Sequence, residues 1–197
     1  MRTSRSSPAS EAKSTPSSSR ADALRRAFRE RPFSTFFSTG FGSGLSPVAP
    51  GTAGSLVALA ISAAAVRSFQ SSHGASIAAA VGLLASGLAT AAIAVPLTTR
   101  ASRAMGLKDP APIVLDEFAG QFIACAAVPL FSYSSGMREA LAWGVSFLAF
   151  RIFDVWKPGP IRRVQDLPDG MGIVVDDVLA GGLAAGLTVL VGGALGS

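Results

Sequence analysis

Acidic residues stand beside apolar stretches at three separate places in this 197-residue sequence. Carboxylates next to membrane segments are energetically costly, and they repel one another unless a cation lies among them. The chain holds one histidine and one cysteine, so oxygen atoms are the main ligands on offer. Oxygen ligands favour a hard cation, Mg²⁺ above Mn²⁺ or Ca²⁺. We therefore expect a divalent cation among five carboxylates, which are Asp116, Glu117, Asp154, Asp176 and Asp177.

One of these carboxylates belongs to a polar stripe. Arg151, Asp154 and Lys157 recur every third residue, a spacing that puts them on one side of a helix. The stripe is either a ladder of structural ion pairs or a binding surface, and its cationic side chains suit a phosphate monoester. Pro158 and Pro160 predict the end of that helix.

The glycine- and proline-rich stretch 40–55 is a second candidate for anion binding, since it opens an apolar helix. Glycines such as Gly51 allow backbone N–H groups to turn toward an anion, and a helix N-terminus favours negative charge. Ser46, Thr52 and Ser55 add hydroxyl donors. The stretch lacks the lysine of a P-loop, so a turn followed by a helix cap is the alternative.

The acidic pair Asp116-Glu117 precedes an apolar stretch. An acidic pair at that place also benefits from the helix N-terminus, which is the alternative to a ligand role. Gln121 follows Glu117 by four residues and shares its helix face, which makes it a candidate substrate contact.

Several phosphatase mechanisms are disfavoured by what the sequence lacks. The only histidine, His73, lies in a predicted outer connection, and Cys125 has no Cys-x₅-Arg context. No Asp-x-Asp pair supports the usual aspartyl-phosphate type. A bound cation polarises a phosphoryl group and lowers the pKa of an attacking water. Water attack is the predicted route, with a phospho-aspartyl step through one of the carboxylates as the alternative.

Membrane helices are predicted to hold these residues. Only 15% of the residues are charged and 49% are hydrophobic, whereas a soluble domain carries about 25% charged residues. The long charge-free stretches are rich in small residues and approach the roughly 20 residues that a membrane crossing requires. The predicted fold is all-α, a polytopic membrane bundle of about four to five apolar helices. The apolar segments are 53–66, 77–97, 118–133, 139–153 and 178–195.

The basic residues predict the orientation of this bundle. Most of the 17 lysines and arginines lie in the N-terminal arm and in the connections 98–112 and 151–177. By the positive-inside rule, this distribution fits five crossings, with the C-terminus outside and every polar motif at the cytoplasmic face. It reads as membrane topology rather than as a nucleic-acid surface, so no nucleic acid is expected as a partner despite the net charge of +5.

Three regions follow along the chain. Residues 1–20 are rich in Ser, Pro and Arg and are predicted to be a disordered basic tail. Residues 21–31 are predicted to form a basic helix on an anionic membrane surface, with a merely solvated helix as the alternative. Residues 32–197 are predicted to be the membrane-embedded catalytic domain.

Four motifs resemble those of the phosphatidylglycerophosphatase A family, and the likeness runs from Phe36 to the C-terminus. In chain order they are TGFGSGLSPVAPGTAGSL at 39–56, IVLDEFAGQ at 113–121, FRIFDVWKPGPIR at 150–162 and GMGIVVDDVLAG at 170–181. The resemblance implies a Mg²⁺-dependent enzyme of the bacterial inner membrane. Such an enzyme hydrolyses the terminal phosphate of phosphatidylglycerophosphate and releases phosphatidylglycerol and inorganic phosphate.

The resemblance also implies residue roles. The five carboxylates become candidate metal ligands and catalytic residues, and Lys157 joins the catalytic set. The sequence departs from the family pattern at Gly159, where an aromatic residue is frequent, and at Leu167-Pro-Asp-Gly170, where a His-Gly pair is frequent. The candidate phosphate and substrate contacts are Ser46, Gly51, Thr52, Ser55, Gln121, Arg151 and Arg162.

Two other classes of protein compete with the lipid phosphatase. An ion-coupled transporter also uses intramembrane carboxylates, but it tends to hold them near the bilayer midplane in broken helices. A purely structural role for the membrane protein does not explain why five carboxylates cluster. The position of the carboxylates along the helices therefore distinguishes a lipid phosphatase from an ion-coupled transporter.

Overall fold

The computed structural model describes residues 16–73 and 77–196, and the regular structure in these ranges is entirely helical. Helices keep every backbone polar group bonded within one segment, as a chain this apolar requires in lipid. The predicted all-α fold is confirmed. The helices are α1 (Pro16–Glu30), α2 (Pro32–Ser38), α3 (Pro50–His73), α4 (Ile77–Met105), α5 (Leu115–Cys125), α6 (Gly136–Trp156), α7 (Pro160–Val164) and α8 (Gly170–Leu195).

Three helices in the described part of the chain are long and apolar enough to cross a membrane: Pro50–Gln70 within α3, the whole of α4, and α8. The prediction of four to five such helices is therefore slightly too high. Helix α5 has only 11 residues, and α6 carries charged residues near both of its ends. The predicted segment 118–133 is interrupted after Cys125, and a short 3₁₀ turn containing Pro129 follows.

Five helices nevertheless run alternately between two ends of the bundle. At one end, here named the charged end, Ala27 of α1 packs with Met105 at the end of α4 and with Ile113 just before α5. At the far end, Val66 of α3 and Cys125 of α5 belong to one cluster with the start of α4 and of α6. Helices α3, α5 and α8 therefore lead away from the charged end, and α4 and α6 lead back to it.

The crossing of α5 and α8 decides where two of the acidic motifs meet. A Cβ atom on Gly181 would collide with the backbone of Gly120, and a Cβ on Gly120 would collide with the backbone of Asp177 and the ring of Phe150. Small residues let membrane helices approach this closely. Asp116 and Asp177 each lie four residues before one of these glycines, so the crossing brings the two carboxylates to the same place.

The N-terminal region differs from its predicted limits. Helix α1 begins at Pro16, so residues 16–20 are helical rather than part of a disordered tail. Residues 1–15 of the predicted tail lie outside the described residues. The side chain of Arg26 fixes α1 to the end of α4 by donating to the carbonyl oxygens of Ala104 and Met105, both at 3.1 Å. Whether α1 lies on a membrane surface remains a prediction.

Candidate active site

A cavity of about 580 Å³ opens at the charged end of the bundle. Four helices contribute to its walls, namely the start of α3, the start of α5, the end of α6 and the first two turns of α8, together with the connections before α5 and before α8. The four sequence motifs, although distant in the chain, therefore meet at one place. The predicted site residues that line the cavity are Gly51, Thr52, Asp116, Glu117, Arg151, Asp154, Lys157, Asp176 and Asp177.

Three carboxylates converge in this cavity. One side-chain oxygen from each of Asp116, Glu117 and Asp177 lies within 4.8 Å of the others. Asp116 and Asp177 are buried and Glu117 is half-buried. Each has a buried oxygen without a hydrogen-bond partner: Asp116 Oδ1, Glu117 Oε2 and Asp177 Oδ2. Buried carboxylate oxygens without donors are costly unless a proton or a cation satisfies them, so the donor set fits a hard divalent cation.

The protonation of the two α5 carboxylates reflects this environment. Burial, followed by the charge of Asp177, raises the pKa of Glu117 to about 8. Burial, followed by the charge of Glu117, raises the pKa of Asp116 well above its ordinary value. Without a cation, Glu117 therefore retains a proton near neutral pH, and a bound cation must displace it.

Arg151 is held at the cavity by two neighbours. Its Nη1 atom lies 2.7 Å from Asp154 Oδ2 and donates to Ser55 Oγ at 3.3 Å. Ser55 in turn donates to the carbonyl oxygen of Gly51 in the first turn of α3. A Cβ atom on Gly51 would meet Glu117 Oε1, so a larger residue here would displace the Glu117 carboxylate from its present position.

Lys157 is held by the other two acidic residues. Its Nζ atom donates to Asp176 Oδ2 and lies 3.8 Å from Asp154 Oδ1. Asp176 Oδ2 also accepts from Gln165 Nε2 at 3.2 Å, and Asp176 Oδ1 accepts from the backbone N–H of Asp177. Burial alone lowers the pKa of Lys157, but its bond to Asp176 and the nearby carboxylates outweigh burial and raise it.

The backbone at the cavity is strained. Ala49, Lys157 and Asp169 line the cavity and adopt positive φ angles of 47°, 48° and 55°. Such conformations are unfavourable for residues with a Cβ atom and concentrate at functional sites. Lys157 is the residue at which α6 stops, and Pro158 follows it, as the sequence predicted.

The five predicted metal ligands fall into two groups in the described structure. Asp154 and Asp176 each have cationic or amide partners, namely Arg151, Lys157 and Gln165. The described geometry therefore brings the other three carboxylates close together, and the role of all five as metal ligands stays a prediction. Asp176 and Asp177 also lie within the second turn of α8 rather than before it.

Several predicted substrate contacts do not line the cavity. Gln121 is buried one turn further along α5, where its Nε2 atom donates to Cys125 Sγ at 3.2 Å. Ser46 donates to the carbonyl of Val48 and lines a neighbouring cavity instead. Ser55 positions Arg151, and Arg162 is exposed on α7. These four residues stay predicted substrate contacts, although the described side chains do not line the cavity.

Other cavity residues carried no clear signal in the sequence. Gln165 lies two residues before the stretch Leu167–Gly170 that departs from the family pattern, and it donates to Asp176. Asp169 in the same stretch forms a two-bond ion pair with Arg103, at 2.6 and 3.1 Å, which ties the start of α8 to α4. The remaining polar lining residues are Lys108, Asp109 and Asp166.

Unpaired carboxylates beside anchored cations, at one end of an apolar helical bundle, are the arrangement that a membrane-embedded phosphatase requires. The family model for phosphatidylglycerophosphatase A matches residues 36–192. The chain belongs to the phosphatidylglycerophosphatase A family, and it is a phosphatase by that membership.

Curated relatives cover most of the chain. Phosphatidylglycerophosphatase A of Escherichia coli (strain K12) is 36% identical over 155 residues, which are 78% of this chain and 80% of the relative. The Haemophilus influenzae protein of the same name is 37% identical over 145 residues, 72% of this chain and 77% of the relative. A Bacteroides thetaiotaomicron protein, provisionally named a phosphatidylinositol-3-phosphatase, is 36% identical over 151 residues, which are 73% of this chain and 83% of the relative. No solved structure matches the chain.

Proposed function

We propose that this chain hydrolyses the terminal phosphate monoester of phosphatidylglycerophosphate, with Mg²⁺ as cofactor, and releases phosphatidylglycerol and inorganic phosphate. The observation that carries the proposal is the group of three carboxylates with unpaired buried oxygens, next to two anchored cationic side chains. The E. coli and H. influenzae relatives are named for this activity. A phosphate monoester needs cationic partners, and a divalent cation needs carboxylates.

The residues proposed to hold Mg²⁺ are Asp116, Glu117 and Asp177. Their hard oxygen donors suit Mg²⁺, which usually leaves part of its coordination shell to water and substrate oxygens. The bound cation supplies polarisation of the phosphoryl group. Its charge also offsets the mutual repulsion of the three carboxylates.

Arg151 and Lys157 are proposed to bind the phosphate oxygens. Each retains further N–H donors beyond those used by Asp154 and Asp176. The two carboxylates hold the cations in place before substrate arrives, so little ordering remains when the phosphate binds. The strained backbone at Lys157 supports this role, since it directs the side chain back toward α8.

Water is the proposed nucleophile. It attacks the phosphorus atom as one of its protons passes to a carboxylate oxygen of the site, the bond to the glycerol oxygen breaks, and that oxygen takes the proton back from the carboxylate to leave as a hydroxyl group. The alternative is transfer of the phosphoryl group to one of these carboxylates, followed by hydrolysis. The two routes are distinguished by quenching the reaction with acid during turnover of labelled substrate. Labelled phosphate that stays bound to the protein would favour the phospho-aspartyl route over direct attack by water.

The membrane side of the site is also proposed. The charged end of the bundle holds α1, which carries four arginines, Arg20, Arg25, Arg26 and Arg29, and a fifth, Arg31, follows it directly. The positive-inside rule assigns this end to the cytoplasmic face of a bacterial inner membrane. The position of the carboxylates at one end of the bundle favours the phosphatase over an ion-coupled transporter, which tends to hold its charges near the midplane.

Phosphate release from purified protein in detergent tests the proposal. Phosphatidylglycerophosphate is supplied with Mg²⁺, with EDTA, and with EDTA followed by excess Mg²⁺; release is expected in the first and third conditions only. Phosphatidylinositol 3-phosphate is the comparison substrate. If phosphatidylinositol 3-phosphate is hydrolysed faster than phosphatidylglycerophosphate, the substrate is the one in the name of the Bacteroides relative. Absence of Mg²⁺-dependent phosphate release from either lipid would overturn the proposal.

A further inference from the structure

A second cavity of about 580 Å³ lies beside the carboxylate cavity and is lined mainly by apolar side chains. The two cavities share Pro50, Asp109 and Ala111, so they stand on either side of one wall. Leu24 of α1 contributes apolar surface to the second cavity. Among its described lining residues, Arg20 is the cationic one. A mainly apolar cavity with one cation, and with the carboxylate of Asp109 in the shared wall, suits a ligand that carries one negative charge and a hydroxyl group among apolar groups.

Helix α1 is fixed in place as part of this cavity. Besides the two bonds from Arg26, Ala27 is fully buried and packs against Ala101 and Ile113. The helix nevertheless precedes the residues 36–192 that the family model matches. The cavity is therefore completed by a segment outside the matched domain.

We propose that the second cavity binds the diester phosphate and the adjoining glycerol backbone of the lipid substrate, with Arg20 paired to the diester phosphate. This assignment rests on the proposed function, in which the monoester phosphate occupies the carboxylate cavity. In such a lipid one glycerol unit joins the two phosphates, so the second phosphate must lie close to the first. Asp109, in the wall that this glycerol crosses, offers a carboxylate acceptor to its free hydroxyl group.

The test compares Arg20→Gln with Arg25→Gln, which removes the same charge from the same helix. Arg25 is exposed and does not line the cavity. With phosphatidylglycerophosphate in mixed micelles, Arg20→Gln is expected to raise KM by about tenfold, the value of one charged hydrogen bond, and to leave kcat unchanged. Arg25→Gln is expected to keep the wild-type KM. Equal KM values for the two variants, or a lower kcat at unchanged KM in Arg20→Gln, would overturn the assignment.

A binding experiment separates this assignment from the proposed function. Phosphatidylglycerol has the diester phosphate but no monoester, and its retention by detergent-purified protein is measured by native mass spectrometry. Arg20→Gln is expected to retain less lipid than Arg25→Gln, with unchanged thermal unfolding in both. If wild type fails to hydrolyse phosphatidylglycerophosphate but this difference persists, the lipid site stands without the proposed function. If hydrolysis proceeds but both variants retain phosphatidylglycerol equally, the lipid site is wrong and the function stands.

Discussion

At the scale of single residues, hydrogen bonding divides the acidic side chains into two groups. Asp154 and Asp176 accept from Arg151 and Lys157, so their charges are satisfied by the protein. The carboxylates at 116, 117 and 177 each keep a buried oxygen without a donor. The first group therefore suits positioning of phosphate-binding cations, and the second suits binding of a metal ion.

Asp154→Asn should weaken phosphate binding without weakening Mg²⁺ binding. Arg151 loses its charged partner, and misplacement of a binding group costs up to about 100-fold. We expect a higher KM for the lipid and weaker inhibition by inorganic phosphate, both measured at saturating Mg²⁺. Asp22→Asn, an exposed carboxylate on α1, is the matched control and should behave as wild type. Loss of Mg²⁺ affinity with unchanged phosphate inhibition would instead make Asp154 a metal ligand.

The raised pKa of Glu117 predicts a pH dependence for the cation-free protein. Its folded value of about 8 exceeds the ordinary value of 4.5, so proton binding stabilises the fold at low pH. That stabilisation should be lost as the pH rises from about 4.5 through about 8, so the Tm in EDTA should fall across this pH range. Since Mg²⁺ displaces the proton, its affinity should rise with pH up to about 8. Mg²⁺ titrations and thermal unfolding across this range check both trends; a constant affinity would contradict them.

Residue types in the sequence were enough to predict the acidic residues and the two cations of the site. The division of the carboxylates was not predictable, because it depends on which cation each one contacts across helices. Gln121 illustrates the limit. Its spacing from Glu117 suggested a shared face, but its side chain turns toward Cys125 in the core. Gln165 illustrates the reverse case, since no motif pointed to its bond with Asp176.

At the scale of elements, the crossing of α5 and α8 positions the three carboxylates proposed to bind Mg²⁺. Gly181→Ala introduces a Cβ into the backbone of Gly120, and overpacking of this kind costs about 1–3 kcal/mol. We expect lower thermal stability and reduced Mg²⁺ affinity, because Asp177 moves with the helix. Gly182→Ala is the matched control, since a Cβ there meets nothing within 4 Å. It should be neutral or stabilise the helix by up to about 1 kcal/mol. Equal effects of the two substitutions would contradict the close crossing.

Apolar runs located the long helices but not their limits. Helix α8 was expected from residue 178 and begins at Gly170, because its first two turns are the polar wall of the cavity. Hydropathy cannot mark such a start when the charged residues face inward. Helix α5 was expected to continue to residue 133 and ends at Cys125, before Pro129. Helix α5 packs against α3, α4, α6 and α8, so its 11 residues do not have to span the membrane by themselves.

At the scale of the whole molecule, the alternating path of five helices predicts that the two termini lie on opposite sides of the membrane. Helix α1 packs at the charged end, whereas Arg138 Nη1 donates to the carbonyl of Leu195 at the far end, at 3.1 Å. A reporter fused after Ser197 should therefore respond from the side opposite to one fused before Met1. Responses from the same side would mean that α5 or α6 does not complete a crossing. The alternation was predictable from the basic residues of the connections, which accumulate at one end.

The division of the acidic residues is tested by Mn²⁺ binding, measured by electron paramagnetic resonance on purified protein. Mn²⁺ accepts the same oxygen ligands as Mg²⁺. Asp116→Asn, Glu117→Gln and Asp177→Asn should each weaken binding by roughly tenfold or more, because each removes ligand charge. Asp154→Asn and Asp176→Asn should bind Mn²⁺ like wild type while losing phosphate release. Full Mn²⁺ binding by the first three variants, with loss in the last two, would contradict the assignment.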